Sequence, residues 1–139
     1  MNYYTIIADM KKKVPLFGLI IGALVSAFVI KLVFLDFFII EGESMVPAIQ
    51  PGKMLFVCKT WYGIKLPGTR TYLLRWAEVK QGDIVVFYTP SGEKAVKRCK
   101  QINGDEFLAA GDNSRLSQDS RSYGPVSVNN IIGKVLGVK

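Results

Sequence analysis

Lys94-Ala95-Val96-Lys97-Arg98-Cys99-Lys100-Gln101-Ile102 is the stretch that decides how this chain folds. Side chains on a strand point alternately to opposite faces, so the stretch divides into two sets. Ala95, Lys97, Cys99 and Gln101 share one face, and Val96, Arg98, Lys100 and Ile102 share the other. Around it stand further short apolar, β-branched runs punctuated by glycine and proline, the pattern of a small all-β domain. Residues 34–41 and 54–59 read as the first two strands, the second introduced by a Pro51-Gly52 turn. Residues 83–88 (DIVVFY) are apolar almost without a break, which predicts burial on both faces. Residues 107–110 and 131–138 complete the set.

Helical character is expected only ahead of these strands. Residues 14–30 form a run of 17 without a charge, followed by Lys31 and further bulky apolar residues. A membrane span needs about 20 mostly apolar residues, and a lysine near its end can snorkel to the interface. The expectation is one transmembrane helix over residues 14–34. A cleaved signal peptide has an apolar core of about 7–15 residues ending at small residues, whereas this run continues into Phe34, Leu35, Phe37 and Phe38. Lys11, Lys12 and Lys13 flank its start and place residues 1–13 in the cytoplasm, with residues 35–139 outside it. From Glu41 onward that outer part carries 14 Lys plus Arg against 9 Asp plus Glu, a net charge of +5. The basic residues are scattered and no nucleic-acid motif appears, so a face beside anionic lipid headgroups is the better account. Interleaved aromatic and basic residues in the long connection 60–80, among them Trp61, Tyr62, Arg75 and Trp76, suit either that headgroup layer or a cap over the core. Cys58 and Cys99 lack zinc-ligand spacing; each sits in an apolar run where free cysteine behaves as a small hydrophobe, although an oxidising compartment would permit a bridge.

The polar remainder opens with Glu41-Gly42-Glu43-Ser44-Met45-Val46-Pro47. Ser44 is either a turn residue or a nucleophile. A serine hydroxyl needs a base to take its proton, and the chain contains no histidine. The known substitute is a desolvated lysine. Lys97 is flanked on its own face by small, uncharged Ala95 and Cys99, neighbours that would lower its pKa. Alone, the pattern is more often that of a solvated strand lysine.

The combination is far more specific. Ser44-Met45-x-Pro47, then Lys97-Arg98 with Gly104-Asp105 following, then Gly111-Asp112-Asn113, Ser117-x-Asp119-Ser120-Arg121 and Gly124-x-Val126, closely resembles the type I signal peptidases. The resemblance runs from the N-terminal anchor to Val126. It implies a membrane-bound serine protease with a Ser/Lys dyad on a mainly β fold, one that releases exported proteins by cutting after the small-residue motif of a signal peptide. It makes Ser44 the nucleophile, with its backbone N–H as an oxyanion donor, and Lys97 the general base. Ser117 would orient the lysine amine, while Asp119 with Asp112 and Arg121 would brace the site, and Arg98 follows the base as in the family. The implied partners are exported preproteins and membrane lipid, with no nucleic acid, metal or cofactor. The implied location is the cytoplasmic membrane, crossed once, with the catalytic part on the far side.

Three departures accompany the resemblance. Gly42 stands where one branch of the family carries a serine that donates into the oxyanion hole. Cys99 to Asn103 are more polar than the family's usual residues after Lys-Arg. Only residues 106–110 separate Gly104-Asp105 from Gly111-Asp112, so the chain lacks the further β subdomain many members insert there. The rival readings are a peptidase of the same chemistry dedicated to conjugation or pilin substrates, and an inactive anchored module that binds export substrates.

Overall fold

The computed structural model describes residues 16–66 and 68–138, apart from the side chain of Leu32. The chain divides into two units between Leu32 and Val33. The first holds helix α1, Leu16–Val33. It is apolar on every side, its described side chains are all exposed, and its only charge is Lys31. At 1.5 Å per residue its 18 residues rise about 27 Å, short of a hydrocarbon core of roughly 30 Å. Among the described residues no helix is long and apolar enough to cross a membrane. The expected cytoplasmic segment 1–13 and the first two residues of the expected span lie outside the described residues.

The second unit is mainly β, as the sequence predicts. Its strands are β1 Leu35–Ile39, β2 Met54–Cys58, β3 Gly63–Lys65, β4 Tyr72–Arg75, β5 Ile84–Tyr88, β6 Lys94–Asn103, β7 Glu106–Ala110, β8 Val126–Ser127 and β9 Ile131–Leu136. Seven form one antiparallel sheet in the order β1-β2-β9-β5-β6-β7-β8, and β3 pairs with β4 apart from it. Two cores lie against the large sheet. Val85, Phe87, Cys99, Phe107 and Tyr62 belong to one, and Ile84, Val86, Leu55, Val57 and Met45 to the other. β5 contributes alternate residues to both, which is why its sequence shows no polar face.

Several expectations are corrected. Connection 60–80 contains the β3–β4 hairpin, in which a side chain on Gly63 would collide with Leu74 and Arg75. A one-turn helix, α2, forms at Ser120–Tyr123. In β6 the alternation holds through Cys99 and then breaks, because the pairing with β7 shifts between Cys99 and Gln101; Gln101 is exposed rather than sharing the face of Lys97. Met45 is buried in the second core as a packing residue. Both cysteines are free, and Cys99 is core.

Candidate active site

Ser44 lies in the turn after β1 and Lys97 in the middle of β6, 53 residues apart in sequence, and both line one cavity of about 460 Å³. β6 brings the lysine there. Lys97 stands opposite Val85 of β5, and Arg98 stands opposite Ala110 at the end of β7. Gly111 is the first residue beyond β7. Lys97 is 5% exposed. Burial pushes its amine below the ordinary lysine range; the Asp119 carboxylate pulls it back up and Arg121 pushes it further down.

Gly111 is where the separate segments meet. A side chain there would sit 2.5 Å from the Ser44 carbonyl oxygen and would overlap Ser117. Only glycine permits so close an approach of backbone to backbone. The Ser44 carbonyl also accepts a hydrogen bond from the Asn113 N–H at 2.9 Å, so the turn carrying Ser44 is fastened to the loop after β7. Among the described residues the Ser44 amide N–H donates to no acceptor, and neither Ser44 Oγ nor Lys97 Nζ takes a hydrogen bond. Catalytic hydrogen bonds are often long in unliganded sites and tighten when substrate binds.

Asp119 is fully buried and is the anchor of this loop. Its Oδ2 accepts from the Gly111 N–H at 3.0 Å, from Ser117 Oγ at 2.8 Å and from Arg121 Nη2 at 2.7 Å, and its Oδ1 accepts from Arg121 Nε at 2.8 Å. It also caps α2 by accepting from the Arg121 backbone N–H. Burial alone would push the Asp119 carboxyl up, but the hydrogen bonds from Arg121, Gly111 and Ser117 together hold it well below the usual carboxylate range. Ser117 thus gives its proton to Asp119, and among the described residues no hydrogen bond joins it to Lys97.

Asp112 does not join that cluster. It forms a bidentate pair with Arg98, Nε to Oδ1 at 2.9 Å and Nη2 to Oδ2 at 2.8 Å. The pair raises the Arg98 guanidinium and lowers the Asp112 carboxyl from their ordinary values. Arg98 also donates to the Gly82 carbonyl at 3.1 Å, so this second brace ties β6 to the loop after β7 and to the turn before β5. Gly42 lines the cavity two residues before Ser44, with open space where a side chain would stand. No cluster of acidic, cysteine or histidine side chains able to hold a metal occurs among the described residues.

Sequence reasoning missed Tyr123, which lines the same cavity. The signal was its place two residues after Arg121 in the last motif, but nothing in a strand or turn pattern separates it from an ordinary core aromatic.

A family model described as signal peptidase, peptidase S26 matches residues 13–107 and 94–138. A Signal peptidase I of Buchnera aphidicola subsp. Baizongia pistaciae is 35% identical over 99 residues, covering 70% of this chain and 32% of that protein. A Signal peptidase I of Helicobacter pylori is 33% identical over 103 residues, covering 63% of this chain and 36% of that protein. The chain spans about a third of the length of these relatives. A Signal peptidase I of Bacillus caldolyticus is 24% identical over an alignment of 149 residues that takes in 70% of this chain and 75% of that protein. With the family model matched along nearly all of its length, the chain belongs to the signal peptidase family, peptidase S26.

Proposed function

We propose that this protein is a membrane-bound serine endopeptidase that removes signal peptides from exported preproteins, with Ser44 as nucleophile and Lys97 as general base. One observation carries the reading: in a chain without histidine, Ser44 shares a cavity with a lysine whose ammonium form is disfavoured by burial. The neutral Lys97 amine takes the Ser44 proton as Oγ attacks the scissile carbonyl carbon. The resulting ammonium then protonates the leaving amine as the C–N bond breaks, which leaves an acyl-serine. Water attacks that ester, giving its proton to the same amine, and the acid product departs with Ser44 restored.

Ser117 fits an orienting role in this scheme. Its single proton is committed to Asp119, so toward the lysine it can only accept an N–H. That leaves the amine lone pair to face Ser44. Asp119 with Arg121, and Arg98 with Asp112, would hold the loop and strand that position these groups. The free Ser44 amide N–H is the first oxyanion donor, and Gly42 adds no side-chain donor to it.

Residues 38–42 and 93–97 both line the cavity. An extended peptide laid between them would pair with backbone and drop alternate side chains inward, the geometry for reading small residues before the cut. Helix α1 supports the anchor reading by being apolar all round, with Ser26 Oγ satisfied by the Gly22 carbonyl at 2.8 Å. Residues ahead of Leu16 would complete the span, with the N-terminus cytoplasmic and the catalytic unit across the membrane. Lipid would be a second partner through exposed apolar side chains of the β unit.

The test is cleavage of a preprotein by the full chain in membranes or detergent. Ser44→Ala and Lys97→Ala should each reduce product to the uncatalysed background while leaving the thermal midpoint near that of the parent. Cleavage retained by either variant would overturn the dyad.

A further inference from the structure

Tyr123 ends α2, packs against the first core and lines the cavity that holds Ser44 and Lys97. Its hydroxyl is buried, yet it has no hydrogen-bond partner; it is the only side-chain polar atom of this kind among the described residues. A buried polar group left unpaired lowers stability, so such groups need an explanation.

Tyr123 shares the cavity lining with several polar side chains, and most of these are committed or exposed. Thr89 is bonded to Ser91 and Glu93, Lys94 lies over the Phe38 ring at 5.3 Å, and Glu41, Glu93 and Gln118 are exposed. Ser44 gives away its one proton in the proposed reaction. Lys97 is the wall residue that is buried and gains an N–H during that reaction. The Asp119 carboxylate acts on both Lys97 and Tyr123, and Arg121 is the other charge acting on Lys97. An ammonium has three donors and no acceptor, and a phenol oxygen can accept one of them.

Resting on the reading of Lys97 as the base, we propose that Tyr123 is a positioning residue whose hydroxyl oxygen accepts a hydrogen bond from Lys97 Nζ when that amine is protonated. Burial first, then the Asp119 charge, pushes the phenol up to about 12, so it stays neutral throughout the working range. The hydroxyl has no partner in the structure, and the bond forms as the amine gains a third, charged N–H, a stronger donor than those of the neutral amine. The hydroxyl is then idle in the resting site and engaged when the reaction creates charge there, which is the pattern that lowers a barrier.

Tyr123→Phe in the full chain removes the oxygen and keeps the ring. The acid limb of the kcat/KM profile should move to lower pH, because the ammonium loses a partner and the amine becomes neutral sooner. The plateau kcat should fall about tenfold, the worth of one hydrogen bond to a charged group. The thermal midpoint should hold or rise, since an unpaired buried group has gone. An unchanged limb and plateau, or a loss of folding, would overturn the proposal. Titration of the Lys97 side chain by NMR in a Ser44→Ala background, with and without Tyr123→Phe, separates the two readings. If Ser44→Ala still cleaves, the dyad fails; if it does not cleave but the Lys97 titration ignores Tyr123, this proposal fails.

Discussion

Lys97 sets a cation's side chain where water scarcely reaches, and the chain is less stable for it. Because burial depresses its pKa, the unfolded state binds the proton more tightly than the folded state between the folded value and the ordinary lysine value. Stability therefore rises with pH across that window, and below it the full penalty is felt. Lys97→Met should raise the thermal midpoint at neutral pH, with a gain on the order of 1 kcal/mol, because a similar volume is kept and the buried charge is gone. The gain should shrink toward zero as pH approaches the ordinary lysine value. A pH-independent difference between the two proteins would mean that Lys97 is not titrating in a dry site. The same depressed pKa predicts activity that rises with pH as the amine becomes neutral. At this scale the sequence was informative, since the absence of histidine and the small neighbours Ala95 and Cys99 singled out Lys97. It could not show Tyr123, whose significance rests on the missing partner of one oxygen atom.

Strand β6 and the loop after β7 are the elements that make these residues a site. The pattern of β5 and β6 up to Cys99 was readable because side-chain alternation is a property of the backbone itself. The shift after Cys99 was not, since a bulge inserts a residue without a composition signature. The β3–β4 hairpin escaped for a related reason. Its strands are three and four residues long, and Lys65 and Arg75 stack over Tyr72 at 4.6 and 5.8 Å, so its charges are part of its packing rather than a sign of a solvated loop. The loop after β7 was legible as a motif but not as a junction. That role belongs to Gly111, pressed between the Ser44 carbonyl and the Ser117 side chain. Gly111→Ala should separate those segments by a few tenths of an ångström or more, and misplacement on that scale is costly to catalysis. We expect kcat to fall by about 100-fold while the preprotein KM changes little. Equal activity in the alanine variant would show that the loop does not set the spacing of Ser44 and Ser117.

For the whole molecule, the distribution of apolar surface matters more than its total. The two cores draw their buried residues from Met45 onward, so the β unit holds its own stability without the helix. Yet β1 and β2 turn an apolar pair of pairs outward: Phe37 stands opposite Phe56 and Ile39 opposite Met54, and all four are exposed. Phe37 and Phe56 meet edge to face with ring centroids 5.2 Å apart. Trp61, Leu73, Leu74 and Trp76 add exposed apolar surface in the connection that carries the β3–β4 hairpin. Clustered surface of this kind on a basic unit fits a lipid interface, where apolar side chains enter and lysines meet anionic headgroups. A protein beginning at Val33 should therefore fold, and should still sediment with vesicles containing anionic lipid. Phe37→Ser combined with Phe56→Ser should weaken that binding by about tenfold or more, from lost apolar transfer, with no fall in thermal midpoint because neither ring is core. High salt should weaken binding of the parent only in part, since the apolar contribution is not screened. Binding abolished by salt alone, or unaffected by the double substitution, would assign the interaction to charge and leave the β1–β2 face without a role at the bilayer.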